Sequence, residues 1–426
     1  MRVAVQSTNA NNHFAPFRLD NYLSSLFNFN FIPMQKYRSL ALLAMIASVM
    51  YGCSNNKPEE NIDLSTASVL KIDKAVPEIL IDSLSEQGSL TILPLETAER
   101  SLIGKVNYLY KTDSSFVVGE QNGAIKVFTT NGKFIRAIGA MGKGPFEHLT
   151  PTDIRYNDYS KNVEVMDIGL KFTGYKIAGG NDFENLELMK QYKPTLFFPL
   201  GQKKYALYNN SNVMSADDDE TNRFYIIENG KATSKALPFQ STKVVRQIIS
   251  ANQFSNVGKT SIFYETGFPV VYTITDKLTP RYYIDFRNIL PKEQFSYEKV
   301  GALIRGKEEG KFFRIFEFTE GQRFILGNID YLQSASFFMY DKKMNKGVYT
   351  GLGFLYDKLK IRSFKIDFMD QEDTAYAVLT AVSIINAQKQ LRESDPDLTD
   401  LQIRNFLALK VDTYDNPFII SFKLKQ

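Results

Sequence analysis

Ile125-Lys126-Val127-Phe128-Thr129-Thr130-Asn131-Gly132-Lys133-Phe134-Ile135-Arg136-Ala137-Ile138-Gly139 reads as two short strands around an Asn-Gly turn. Asn131 and Gly132 can both take the positive φ that a tight two-residue hairpin needs to match the strand twist. One hairpin fixes no fold. Weaker versions recur, however, at Asn181-Asp182, Asn229-Gly230, Asp276-Lys277 and Asp341-Lys342. Their spacing of roughly fifty residues, longer once, suits propeller-type repeats and not coiled coils or helical solenoids. The long gap contains 291–311, where residues 297–304 read as an inserted helix, and discounting it restores the rhythm.

Strand texture agrees. Ser115-Phe116-Val117-Val118, Asn162-Val163-Glu164-Val165-Met166, Phe224-Tyr225-Ile226-Ile227 and Val270-Val271-Tyr272-Thr273-Ile274 are rich in β-branched and aromatic residues. Several lack clean polar/apolar alternation, as sheets covered on both faces do. A two-sheet sandwich is the structural competitor, and it calls for clearer alternation and shorter turn spacing. The expected fold is therefore an all-β six-bladed β-propeller over 89–426, with helical insertions near 291–311 and 381–409.

In the second insertion Asp395-Pro396 is the expected cap and first-turn proline, with Leu398, Leu401 and Phe406 on one apolar face. Phe418-Ile419-Ile420-Ser421-Phe422 then returns as a strand. Closing a ring requires an early strand to pair with a late one. Thr91-Ile92-Leu93-Pro94-Leu95 is the expected contributor, with Pro94 at an edge or strand end because it has no N–H to donate.

Upstream, Lys36 and Arg38 precede an apolar run from Leu40 to Met50, then Tyr51-Gly52-Cys53. Charge, a run too short to span a bilayer, and a small residue before the cut make a bacterial secretion signal over 34–52. Cys53, the single cysteine of the chain, follows Gly52 as in the lipobox of bacterial lipoproteins. Cleavage is expected between Gly52 and Cys53, with a diacylglycerol on the Cys53 thiol. Residues 1–33, which precede Met34, read as an over-called start. Residues 53–88 are expected to be the lipidated cysteine and a polar tether.

Gly139-Ala140-Met141-Gly142-Lys143-Gly144-Pro145-Phe146-Glu147 resembles the glycine-rich turn of the six-bladed β-propeller lipoproteins of Bacteroides-type bacteria. Leu93-Pro94-Leu95-Glu96-Thr97 and Leu102-Ile103-Gly104-Lys105 are similar to the opening of that family, and Asn416-Pro417-Phe418-Ile419-Ile420 to its closing strand. The chain departs from the pattern at Phe146 and His148. The resemblance implies a fold and an outer-membrane location, on the periplasmic or the cell-surface side, more than an activity.

Composition and motifs narrow the chemistry. Of the formal net charge of +4, +3 falls within residues 1–52, which leaves the remainder at +1. A near-neutral body gives no footing for nucleic acid. Outside the leader the only histidine is His148 and the only cysteine is Cys53, so a histidine-ligated zinc site or a Cys/His nucleophile is not expected. His148 reads as a turn-packing or surface residue. Asp217-Asp218-Asp219-Glu220 invites calcium but lacks the alternating ligands and sharp glycine of a calcium loop, so no metal or other cofactor is expected. Gly142-Lys143-Gly144 lacks phosphate-loop spacing and reads as a crossover between blades. Tryptophan is absent from the whole chain, which weighs against a glycan hydrolase.

The function expected is a non-catalytic binding scaffold: an envelope lipoprotein held to the membrane by its lipid, taking a ligand, a glycan or an envelope protein. The alternative is a propeller lyase or hydrolase of envelope or dietary polymers using channel-mouth carboxylates, with or without a divalent metal. Convergence of three or more charged side chains at one mouth separates the two. The sequence names neither a ligand-binding residue nor an oligomeric state.

Overall fold

The computed structural model describes residues 62–144, 147–177, 183–185, 191–210, 222–238, 252–304, 313–332 and 334–426. Strands dominate, in four-stranded antiparallel meanders. Unit 1 is Val106–Lys111, Ser115–Glu120, Ile125–Thr129 and Phe134–Ile138. Unit 2 is Pro151–Asn157, Asn162–Asp167, Phe172–Lys176 and Phe183–Asn185. Unit 3 is Leu196–Pro199, Lys204–Tyr208, Asn222–Glu228 and Lys231–Pro238. Unit 4 is Phe254–Val257, Thr260–Tyr264, Val270–Ile274 and Leu278–Phe286. Unit 5 is Phe313–Glu320, Phe324–Tyr331, Ser334–Asp341 and Lys346–Thr350. Unit 6 combines Phe368–Met369, Thr374–Leu379 and Phe418–Lys423 with the early strand Thr91–Pro94. Separate meanders of this kind are propeller-like and are not a two-sheet sandwich.

Middle strands are buried on both faces. All six residues of Ser115–Glu120 are buried, which explains the missing alternation in the sequence. Aromatic rings fill the layers between units, as where Phe172 of unit 2 meets Phe197 of unit 3 edge-on at 4.5 Å.

The recurring turn markers share one structural position. Asn131-Gly132, Asn229-Gly230, Asp276-Lys277 and Asp341-Lys342 all fall where the third strand of a unit turns into the fourth. Asn181-Asp182 lies outside the described residues. The Asn229-Gly230 turn has positive φ at both residues (50° and 79°), as a two-residue hairpin requires. The Asn131-Gly132 turn differs from expectation. Only Gly132 is left-handed (φ 79°), and its N–H donates to Thr129 O at 2.9 Å while Thr129 N–H donates to Lys133 O at 2.8 Å. This is a three-residue loop with a bulge, in which Asn131 needs no positive φ.

Thr91–Pro94 lies antiparallel to Phe418–Lys423, with Thr91 opposite Ser421 and Pro94 opposite Phe418. It is the last strand of that sheet, and Pro94 sits at its end, where no donor is needed. The expected tether to residue 88 is corrected. Ser68–Ala75 is a strand, parallel both to Leu278–Phe286 of unit 4 and to Lys346–Thr350 of unit 5, and it joins the two units into one nine-stranded sheet. Leu70 and Ile72 are buried there, while Lys71 and Asp73 point outward. The folded body therefore starts well before residue 89.

Among the described residues four α-helices interrupt the strands: α1 (Ile81–Leu84), α2 (Tyr297–Ile304), α3 (Ala381–Glu393) and α4 (Leu401–Ala408). The pair α3 and α4 forms the expected insertion between the second and third strands of unit 6. Its second helix starts later than expected. Asp400, not Asp395, is the cap, accepting from the N–H groups of Gln402 (2.9 Å) and Ile403 (3.1 Å). The apolar face also differs: Ile403 and Phe406 are buried, whereas Leu398 and Leu401 are 58% and 60% exposed. Among the described residues no helix is long and apolar enough to cross a membrane.

Candidate functional site

Several buried charges sit where neighbouring units meet. In unit 2, Asp153 and Arg155 stand two residues apart on one face of a strand, and Arg155 Nε lies 3.1 Å from Asp153 Oδ2. The guanidinium sits 5.9 Å from the rings of Phe198 in unit 3 and of Phe254 in unit 4. Tyr110 of unit 1 donates to the backbone oxygen of Ile154 at 2.6 Å, and Phe197 N–H donates to Asp153 Oδ2 at 3.0 Å. Units 1 to 4 thus meet around one buried ion pair. Burial pushes Asp153 up to about 6, against the pull of Arg155. The pair fills space and exposes nothing to a substrate.

A second buried pair, Arg223 and Glu265, joins units 3 and 4. Tyr208 donates to Glu265 Oε1 at 2.8 Å, and Arg223 lies over the rings of Tyr297 (5.3 Å) and Phe268 (5.8 Å). Arg223 Nε, Glu265 Oε2, Thr266 Oγ1 and Gln253 Oε1 are buried without a hydrogen-bond partner among the described residues, the usual position of internal water.

Glu317, Lys365 and Asp367 form a convergence of three charges with two carboxylates about one amine; Arg281, Glu320 and Lys342 form another, with one carboxylate. Glu317 lies on the first strand of unit 5, and Asp367 directly precedes the first strand of unit 6. Lys365 Nζ is 2.8 Å from Glu317 Oε1 and 3.3 Å from Asp367 Oδ1. Burial raises both carboxyls above their ordinary values, against the opposing pull of Lys365. Every carboxylate oxygen is engaged: Asn328 Nδ2 donates to Glu317 Oε2 and Val378 N–H to Asp367 Oδ2, both at 2.8 Å. That saturation favours a pin between units over a general acid–base pair.

A cavity lies beside α4, on the flank of unit 6. It encloses about 430 Å³ and is lined by Gly88, Leu90, Ile92, Leu359, Leu401, Gln402, Asn405, Phe406 and Leu409. Helix periodicity explains the wall. Leu401 and Asn405 are four residues apart, so they stand above one another along α4, and Leu409 follows at its C-terminal end. The closing-strand segment around Leu90 and Ile92 supplies the opposite side. Gln388 of α3 fixes the end of α4 by donating to the backbone oxygens of Phe406 (2.8 Å) and Leu409 (3.0 Å). Gln402 Nε2 reaches Tyr356 OH at 3.4 Å, but Gln402 Oε1 is buried without a partner. An apolar cavity of this size with a few polar groups is the usual form of a small-ligand site.

The residues singled out from sequence fall elsewhere. Gly52, Cys53 and Asp217 to Glu220 lie outside the described residues. His148 is buried and packs a turn, its Nε2 3.0 Å from Gly123 O and its Nδ1 3.2 Å from Tyr175 OH. The glycine-rich crossover is held by its own carboxylate: Gly144 N–H donates to Glu147 Oε2 at 2.7 Å, and a Cβ on Gly142 would lie 2.0 Å from that oxygen. The loop amide an anion would need is already occupied. Among the described residues no group of three His, Cys, Asp or Glu side chains is placed to hold a metal ion. Sequence reading missed the charged cluster and the cavity. The one signal for the cavity was the apolar character of Leu401 and Leu409, at the first residue and just past the last of a helix of only eight residues.

Among solved structures, a Bacteroides fragilis protein described as a "Putative exported protein" is similar, with a TM-score of 0.64 at 15% identity, covering 84% of this chain and 100% of that one. The C-terminal WD40 domain of Sif2 (TM-score 0.35, 11% identity, 73% of this chain and 80% of that chain) is a looser likeness. So are the WD40 repeats of RRP9 (0.35, 8%, 80% and 99%). The latter two are too distant to assign architecture, which rests on the strand pairing. No curated protein matches the chain. Residues 61–423 match the family described as Domain of unknown function (DUF4934), and the chain belongs to that family.

Proposed function

We propose that the body forms a closed six-bladed β-propeller, held to the outer membrane through a lipid on Cys53, and that it is a binding scaffold of the cell envelope. Six meanders in chain order, with the early strand Thr91–Pro94 completing the last, support the ring. Contacts between successive units support it too. Lys161 of unit 2 lies 3.8 Å from Asp113 of unit 1, and Lys204 of unit 3 lies 2.8 Å from Asp276 of unit 4. Asp373 of unit 6 accepts from Gln322 N–H of unit 5 at 2.7 Å, and Asp370 of unit 6 lies 3.5 Å from Lys111 of unit 1. The Asp153 contact to Phe197 and the Arg281–Glu320 pair (2.9 Å) span the remaining two junctions. The Bacteroides fragilis protein of similar fold, described as exported, supports an extracytoplasmic location. The leader and Cys53 support the anchor.

The cavity beside α4 is the binding site, and the observation that carries this is its apolar wall around one orphaned amide oxygen, Gln402 Oε1. The ligand is a compact apolar group bearing one N–H or O–H, free or presented by an envelope protein or glycan. Thermal shift with acetyl-leucine amide, acetyl-phenylalanine amide and indole tests this. Binding of one of them, abolished by Leu409→Trp, is expected. Equal shifts in wild type and Leu409→Trp would contradict it. The alternative, a lyase or hydrolase, rests on Glu317, Lys365 and Asp367. Turnover of an envelope polysaccharide that Glu317→Gln abolishes would favour that alternative.

A further inference from the structure

The chain upstream of Ile62 leaves the body at an identifiable end. Ser68–Ala75 runs parallel to the fourth strands of units 4 and 5, and a fourth strand begins at its third-to-fourth turn. Ile62, Leu64 and Ala67 continue back towards that turn, packing in one cluster with Leu200 and Leu278. Leu200 adjoins the first-to-second turn of unit 3, and Leu278 follows the Asp276-Lys277 turn of unit 4. In an antiparallel meander these two kinds of turn lie at the same end. The Lys204–Asp276 ion pair joins them across units.

That end is basic where the chain leaves it. Lys203, Lys231, Lys259, Lys277, Lys343 and Lys346 stand exposed on the turns of units 3 to 5. None has an ion-pair partner among the described residues, whereas the acidic Asp276 and Asp341 of the same turns are paired with Lys204 and Arg323. Glu228 and, on the departing segment, Asp63 are the exposed acids there without an ion pair among the described residues. Met344, 61% exposed, projects between Lys343 and Lys346. The matching turns of units 1, 2 and 6 balance Lys133 and Lys161 against Asp113, Asp158 and Glu372, so the excess of positive charge falls at the half from which the chain leaves.

Tether length adds a geometric limit. Cys53 to Ile62 is nine residue steps, at most about 32 Å when extended. A body of this length is on the order of 50 Å across. A lipid on Cys53 therefore holds the turn end of units 3 to 5 towards the bilayer, where lysines lie within reach of headgroup phosphates. We propose that this end of units 3 to 5 docks on an anionic phospholipid bilayer, with Met344 entering the headgroup layer. The proposal rests on the lipid-anchor reading, which supplies the tether.

Two measurements keep the proposal and the anchor apart. The mature chain carrying Cys53→Ser, which has no lipid, is mixed with vesicles of phosphatidylcholine alone or with one-third phosphatidylglycerol. Binding to the anionic vesicles only is expected, falling roughly 30-fold in Lys343→Gln/Lys346→Gln and little in Lys105→Gln, at the opposite end. In the acylated protein, a fluorophore on Met344→Cys should be quenched by headgroup-labelled lipid and one on Leu332→Cys should not. Equal binding to both vesicle types, or stronger quenching at Leu332→Cys, would overturn the docking surface. An unmodified Cys53 by mass would refute the anchor alone, since the Cys53→Ser vesicle assay needs no lipid on the protein.

Discussion

Replacing Gly132 by alanine probes the contact between unit 1 and the closing strand. Gly132 has φ 79°, and a Cβ there would lie 2.2 Å from the backbone oxygen of Pro94. The left-handed conformation alone costs alanine about 1 kcal/mol. The clash adds more, because the Pro94 carbonyl has to retreat by about 1 Å to reach ordinary contact. That retreat pulls at the Glu96 N–H bond to Gly132 O, which is 2.8 Å long and worth about 1 kcal/mol. A total of about 3–4 kcal/mol follows. Gly258→Ala is the control, since Gly258 has φ 57° with nothing within 4 Å of its added Cβ, and it should cost only about 1 kcal/mol. For a body of this size the melting midpoints should fall by about 4–5 °C and about 1 °C respectively. Urea unfolding of both variants supplies the free energies. Equal losses would refute the claim that the hairpin tip rests on the closing strand.

Glu320 is buried and held by Arg281 (2.9 Å), Lys342 (2.8 Å) and Tyr282 (2.8 Å). Burial pushes its carboxyl up, but the bonds from Arg281 and Lys342 outweigh that and hold it below its ordinary value. Its contribution is therefore complete above the ordinary glutamate range and lost as pH falls through the lowered value. Glu320→Gln should cost about 3 kcal/mol at pH 7, with the gap to wild type narrowing in urea titrations as pH falls below the ordinary glutamate range. A constant gap would contradict this. Phe406→Ala should destabilise by about 3–5 kcal/mol and widen the cavity, whereas Leu401→Ser should leave stability within about 0.5 kcal/mol because Leu401 faces solvent. Denaturation midpoints and a crystal structure of Phe406→Ala check both.

Much of the architecture was legible because the turn chemistry repeats. Asn229-Gly230, Asp276-Lys277 and Asp341-Lys342 mark the same third-to-fourth turn as Asn131-Gly132, and Pro94 marks a strand end through its missing donor. The leading strand Ser68–Ala75 was not legible. It lies edge to edge between two fourth strands, so its outward Lys71 and Asp73 give it the look of a tether. At the start of α4, Asp395-Pro396 carries a local signal as strong as that of Asp400, yet it is Asp400 that accepts from the first-turn N–H groups, while Gln388 holds the other end. Glu317, Lys365 and Asp367 meet through strand positions that no spacing reveals. The cavity beside α4 depends on Leu90 and Leu409, which lie far apart along the chain.

Closure of the ring by an early strand is tested most directly by a cross-link between its two ends. Thr91 and Ser421 face each other across the closing pair, their hydroxyl oxygens 2.6 Å apart. In a Cys53→Ser background, Thr91→Cys/Ser421→Cys should form a disulfide under mild oxidation without loss of strand content, as the separation suits the bond. A fully reduced pair, or one that oxidises only after unfolding, would contradict the closed ring.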